Sequence, residues 1–194
     1  MQSQDLEVFE KLVEWLQQGK SPYLCTIVKA IGSSPRPVGS MLGCCGEQSI
    51  GTLSGGCVED DLLEKLRTNK IDASVPQLME YGVSAEENER LGLPCGGRLN
   101  ILVQQLSPGG ADWIIDGTTA LRARQSVART TDLKTGVTTI RITEDHVPLS
   151  LTGESLTQGL GPKMQMLLVG AGQLAQVLAQ LALAMDYEVI VTDT

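Results

Sequence analysis

The sequence predicts an α/β protein: a mixed-sheet α/β domain over residues 1–143, a connector over 144–163, and the beginning of a second unit, β-α-β, over 164–194. Three observations predict it. Apolar residues recur at helical spacing in some stretches and in short β-branched runs in others. Glycine turns separate the two kinds of stretch. Residues 164–194 pass from an apolar strand through two close glycines into an apolar helix and a second strand.

Composition bounds the class. A chain of 194 residues holds one ordinary domain, or one domain and part of another. Hydrophobic residues make up 42% and aromatics 3%, so the core is largely aliphatic. The net charge of −8 excludes nucleic acid as a partner, since no basic run offsets it. Apolar runs are broken well short of a membrane span, and residues 1–20 carry acids and no signal-peptide core. Five cysteines without an exported context suggest free thiols in a reducing compartment, and the expected location is the cytoplasm.

The elements follow in order. Leu6, Phe9, Leu12, Val13 and Leu16 mark an amphipathic helix over 4–18, stopped by Gly19 and Pro22. Tyr23 to Ala30 is a buried strand. Ser40 to Cys45 and Ser49 to Ser54 form a hairpin about Gly46-Glu47-Gln48. Cys44 and Cys45 are adjacent on a strand, so they point to opposite faces and pack separately. Val58, Leu62, Leu63 and Leu66 give the apolar face of a helix that starts beside Cys57 and ends near Thr68-Asn69. Pro76 to Tyr81 is a strand. Ser84-Ala85-Glu86-Glu87 is a capping box opening a short helix to Leu91. Leu99 to Leu106 is a strand, Trp113 to Val127 a helix, and Val137 to Thr143 a strand.

The chemistry concentrates in glycine turns. In Gly51-Thr52-Leu53-Ser54-Gly55-Gly56-Cys57-Val58-Glu59 a strand turns sharply into a helix. Gly55 and Gly56 uncover backbone N–H groups, and the helix start favours an anion such as a phosphate or a thiolate. A cysteine placed there is an activated nucleophile or metal ligand; the alternative is a small apolar plug. Glu59, Asp60 and Asp61 also suit an ordinary first helical turn. The loop Gly32-Ser33-Ser34-Pro35-Arg36-Pro37-Val38-Gly39 offers hydroxyls and a guanidinium to an anion, or is a solvated turn. Gly92-Leu93-Pro94-Cys95-Gly96-Gly97 repeats the pairing of cysteine with two glycines, which suggests close approach by a ligand or two unrelated tight turns. A structural zinc site is not expected: there is no C-x-x-C, and His146 has no nearby partner.

Gly170-Ala171-Gly172-Gln173-Leu174-Ala175 is G-x-G-x-x-A between a strand and a helix, with Asp193 at the end of the next strand. This is the Rossmann arrangement: Gly170 turns, Gly172 admits a pyrophosphate, Ala175 packs the helix, and Asp193 meets ribose hydroxyls, favouring NAD among the NAD(P) pair. A Rossmann half needs a longer β-α-β-α-β series than the sequence holds. The expectation is a truncated gene, an engineered fragment, or a unit completed by another chain, with the nucleotide site incomplete in one chain. The uncovered apolar sheet also predicts a homo-oligomer.

Three blocks, Gly32 to Met41, Gly51 to Asp61, and Tyr81-Gly82-Val83 through Gly97, resemble the N-terminal domain of the XdhC/CoxI accessory proteins, which serve molybdenum-cofactor hydroxylases such as xanthine dehydrogenase. The Gly170–Asp193 unit is similar to the start of that family's Rossmann domain. The resemblance implies a maturation factor. Such a factor binds molybdenum cofactor, a phosphorylated pterin dithiolene, holds it while its terminal ligand is sulfurated, and delivers it to the apoenzyme, with a cysteine desulfurase as a further partner. On that implication Cys57 touches the molybdenum or accepts the sulfur-bearing group. Ser54, Gly55, Gly56 and Glu59 hold the phosphate or pterin, Ser33, Ser34 and Arg36 form the other wall, and Cys95, Gly96 and Gly97 supply a second thiol turn. The rival is a NAD(P)-linked oxidoreductase with Cys57 or Cys95 as a redox thiol.

Overall fold

The computed structural model describes residues 4–32, 36–68, 70–71, 75–91, 97–162, 164–185 and 187–193, and of Cys57 the backbone alone. Helix α1 (Gln4–Gln17) buries Leu6, Phe9, Leu12 and Leu16 of the predicted stripe, and Val8 and Trp15 beside them. Strand β1 (Tyr23–Ile31) pairs antiparallel with β2 (Met41–Cys45), and β2 with β3 (Gln48–Gly51), which completes the predicted hairpin. Helix α2 (Cys57–Arg67), β4 (Gln77–Tyr81), α3 (Ala85–Arg90) and β5 (Arg98–Gln105) follow. The Ser84 hydroxyl accepts from the Glu87 amide at 3.1 Å, so the predicted capping box is present. The first sheet has the order β3-β2-β1-β5-β4. The expected α/β class holds, but every pairing described in this sheet is antiparallel. The only parallel pair among the described residues lies in the last unit.

Two expectations are corrected in the middle of the chain. The helix read over Trp113 to Val127 is α4 (Asp112–Arg122), ending before a turn with Arg124 at φ 58°, and Val127 opens a strand, β6 (Val127–Asp132). The connector 144–163 is not a linker: it contains β8 (Ser150–Leu151) and β9 (Ser155–Leu160). With β7 (Thr138–Ile142) these strands form a second antiparallel sheet, order β7-β6-β9-β8, in which β9 is central. The physical reason is that β9 alternates buried and half-buried residues, but its inward positions include Gln158, so no apolar run announces it.

The first sheet is covered on two faces. On one, Cys25, Ile27, Leu42, Cys44, Leu99 and Ile101 pack against Val58, Leu62 and Leu66 of α2. On the other, Leu24 and Met41 join Phe9, Leu12 and Trp15 of α1 with Ile114 and Leu121 of α4, where Phe9 meets Trp113 edge-on at 5.8 Å. Cys44 and Cys45 divide as expected: Cys44 enters the α2 core and Cys45 packs on the α1 side. The second sheet meets the first through an apolar cluster, Val28 and Leu102 with Leu156, and through buried polar residues. Arg129 donates to the Thr26 hydroxyl at 2.7 Å, the Gln104 amide to Gly136 O and the Thr138 hydroxyl, and the Gln158 amide to Gly39 O at 2.8 Å. Each bond satisfies a group that burial would otherwise strand.

The chain closes with β10 (Met164–Val169), α5 (Gln173–Ala184) and β11 (Tyr187–Thr192), the predicted β-α-β with parallel strands. Leu167, Val169, Leu174, Val177, Leu181 and Ile190 on it are exposed. Among the described residues no helix is long and apolar enough to cross a membrane.

Candidate site at one end of the first sheet

Antiparallel alternation brings the motif turns together. Strand β1 runs out to Ile31, which pairs with Arg98, the first residue of β5. Strand β2 starts at Met41, β3 ends at Gly51 opposite Leu42, and β4 ends at Tyr81 opposite Leu99. Gly32, the residues 36–40, 52–56 and 82–84, and Gly97 therefore all flank the sheet at the same end. All three sequence blocks meet there, although the first and the last lie far apart in the chain. Ser33, Ser34, Cys95 and Gly96, with the side chain of Cys57, lie outside the described residues. Arg36 is half-buried and Gly97 is buried at this end.

The turn before α2 is built around a carboxylate. Glu59 Oε1 accepts from the Thr52 hydroxyl at 2.6 Å and from three successive amides: Leu53, Ser54 at 2.7 Å and Gly55 at 2.9 Å. Of the two amides expected to stand uncovered, those of Gly55 and Gly56, this corrects the first: the chain's own carboxylate occupies the Gly55 amide. Burial pushes the Glu59 carboxyl up, but the amides of Gly55, Ser54 and Leu53 and the Thr52 hydroxyl outweigh it and hold the group below the ordinary carboxylate range. Gly55 needs its glycine for conformation, with φ at 74°. Gly56, the N-cap of α2, does not: its φ is −175°, and a Cβ there would meet nothing within 4 Å. The Ser54 hydroxyl beside it is buried and has no hydrogen-bond partner among the described residues. The turn thus leaves a bare helix start and one orphaned hydroxyl, a donor set that fits a phosphate or a polar ring edge.

The described residues on either side of the second cysteine are tied to one another and to α2. Glu87 Oε2 accepts from the amides of Gly82 at 3.1 Å and Val83 at 2.9 Å. A Cβ on Gly82 would collide with the carbonyl of Gly97, so the segments 82–84 and 97 pack backbone to backbone. Asp61 on α2 bridges Lys65 at 2.7 Å and Arg90 on α3 at 2.9 Å, which joins the two helices behind the two turns. The loop before β2 is held from both sheets: Gly39 N donates to Ile27 O, and Gly39 O accepts from Gln158. Sequence reasoning missed Gln158 because its partner lies far away in the chain. It missed the clamp by Glu59 although Glu59 stands at the third helical position, the signal for a capping carboxylate.

The nucleotide-type residues sit elsewhere, on the last unit. Gly170 takes φ 100° and donates to Thr192 O, Gly172 caps α5, Ala175 is half-buried on it, and Asp193 is exposed after β11. His146 is exposed and lines a 170 Å³ cavity with Asp145, Gln165 and Glu188, apart from the end-of-sheet turns. No group of three His, Cys, Asp or Glu side chains among the described residues is placed to hold a metal ion.

Residues 15–82 match the XdhC and CoxI family. The chain is 27% identical over 207 residues to a protein of Bacillus subtilis (strain 168) described as a probable xanthine dehydrogenase subunit, covering 92% of this chain and 61% of that protein. A crystal structure of a xanthine dehydrogenase from Bacillus halodurans superposes with a TM-score of 0.63 at 22% identity, over 96% of this chain and 62% of that one, a likeness of fold. The chain thus spans 61% and 62% of the lengths of these two relatives. The family match contains the loop before β2 and the whole Gly-Gly-Cys turn.

Proposed function

We propose that this chain is an accessory protein of a xanthine-dehydrogenase-type molybdenum hydroxylase and that molybdenum cofactor is its cargo. In this reading the cofactor is received at the end of the first sheet, held during sulfuration by a cysteine desulfurase, and passed to the apoenzyme. The observation that carries the reading is the bare start of α2. Glycine stands at Gly56 where neither its φ nor its surroundings require one, next to Cys57 and the orphaned Ser54 hydroxyl. A site kept open at the backbone is what a bulky phosphorylated ligand needs. The family match over this turn supports the choice of cargo. Exposed apolar residues on β10, α5 and β11 suit contact with a further protein surface, which is consistent with an oligomer or a complex with the target.

A second reading rests on the last unit. Gly170, Gly172 and Asp193 stand in the strand–turn–helix–strand order of a dinucleotide site, which keeps a NAD(P)-linked redox role open to test. One experiment separates the two. Cofactor binding is measured by ultrafiltration with metal and pterin analysis for wild type, Cys57→Ala and Gly56→Ser, with NADH binding in parallel. Serine is a favoured N-cap residue, so Gly56→Ser keeps or raises the melting temperature while filling the open space. Cofactor binding that falls at least about tenfold in both variants, a loss of about 1.4 kcal/mol, supports the first reading. Unchanged binding in both would remove these two residues from the site, and NADH binding without cofactor binding would favour the second.

A further inference from the structure

Glu59 invites two opposite roles. A carboxylate in a cofactor turn is ordinarily read as a ligand for the cofactor. Its hydrogen bonds point the other way, into the protein. A single oxygen of Glu59 receives the Thr52 hydroxyl and the amides of Leu53, Ser54 and Gly55. The chain uses the same device once more. Glu87 is also the third residue of its helix and draws in the amides of Gly82 and Val83. In α3 the Ser84 hydroxyl shares the capping, whereas Gly56 offers α2 no side-chain cap, so Glu59 carries the whole turn.

We propose that Glu59 is the positioning residue of the end-of-sheet site: its carboxylate fills the Leu53–Gly55 amides and thereby fixes the turn that presents Gly56 and Cys57. The assignment of a cofactor to this turn rests on the function proposed above; the clamp itself does not. A phosphate-bearing ligand is consequently excluded from these three amides while Glu59 is ionised. Cofactor affinity depends on Glu59 through the shape of the turn rather than through contact.

The test uses the full chain and four proteins: wild type, Glu59→Asp, Glu59→Gln and Glu59→Ala. Peptide-resolved hydrogen exchange over residues 52–56, melting temperature with and without added formate, and cofactor binding are measured for each. Hydrogen bonds to a charged group are stronger than those to a neutral amide, so Glu59→Gln should speed exchange of the 53–55 amides by about tenfold or more. Formate should restore part of the melting temperature of Glu59→Ala and leave wild type unchanged, since it supplies the missing carboxylate. Glu59→Asp keeps the charge and should lie between wild type and Glu59→Gln. If exchange at 53–55 is unchanged in Glu59→Gln while cofactor binding is lost, Glu59 is a cofactor ligand and the proposal falls. If no protein binds cofactor, wild type included, the functional reading falls, and the exchange and formate results still decide the role of Glu59.

Discussion

Replacing Arg129 with methionine should stabilise the protein. The arginine is 1% exposed, and its described hydrogen bond runs from Nη2 to the Thr26 hydroxyl. Its Nε and Nη1 groups are buried without a hydrogen-bond partner among the described residues. Burial pulls the guanidinium from its ordinary value down to about 10, against the opposing attraction of Asp5. Each pH unit of that difference corresponds to about 1.4 kcal/mol, so the buried charge costs folding about 3 kcal/mol at neutral pH. The sign follows from the lowered value: the cost is in full force below about pH 10 and fades only as pH rises above it towards the ordinary arginine range. Methionine keeps the length and apolar contacts of the stem, removes the charge, and forfeits the Thr26 bond, worth about 1 kcal/mol. The expected net gain is about 2 kcal/mol, or roughly 4–8 °C in melting temperature for a chain of this size. Urea unfolding at pH 7 and calorimetry measure it. Thr26→Val is the control and should destabilise, because it strips the buried guanidinium of its acceptor. A loss of more than about 1 kcal/mol in Arg129→Met would refute the reasoning and mean that the charge is compensated in the folded protein.

Two further outcomes follow from the same packing. Gln158→Leu removes the donor from Gly39 O and leaves a buried carbonyl unsatisfied, which should cost about 1–3 kcal/mol and speed amide exchange at Gly39 and Ser40; unfolding and exchange by NMR would show it. Glu59 and Asp61 are both held below the ordinary carboxylate range. For Asp61 burial opposes the shift, and Lys65 and Arg90 drive it. Their contribution is therefore complete at neutral pH and is lost as pH falls through and below about 4. Stability measured from pH 7 to pH 3 should fall less steeply in Glu59→Gln than in wild type.

Short-range patterns were enough for much of this chain. The apolar stripe of α1, the hairpin about Gly46, the capping box at Ser84 and the β-α-β of the last unit each lie within a few turns of backbone, and each formed where its local chemistry placed it. Opposite packing of Cys44 and Cys45 followed from the two-residue period of a strand. The second sheet did not follow in this way. β6 and β9 are paired along their length, and Arg129 and Gln158, opposite each other, are buried polar residues because they bond to Thr26 and Gly39 across the seam with the first sheet. Arg129 and Thr131 interrupt the buried side of β6 after Val127 and Ala128, and Gln158 separates Leu156 from Leu160 on β9, so neither strand shows an unbroken apolar pattern; β6 goes unread beyond Val127 and β9 falls within the expected linker.

The candidate site divides in the same way. Glycine turns, cysteines and the family resemblance were readable residue by residue along the chain. Their meeting at one end of a sheet depends on antiparallel pairing between distant strands. The filling of the Leu53–Gly55 amides by Glu59 depends on a side chain folding back across a turn. Sequence alone determines periodicity, turn chemistry and capping, because those act between neighbours. Tertiary structure decides which turns share a site and which donors remain free, because a hydrogen bond is settled by distance in space and not by separation along the chain.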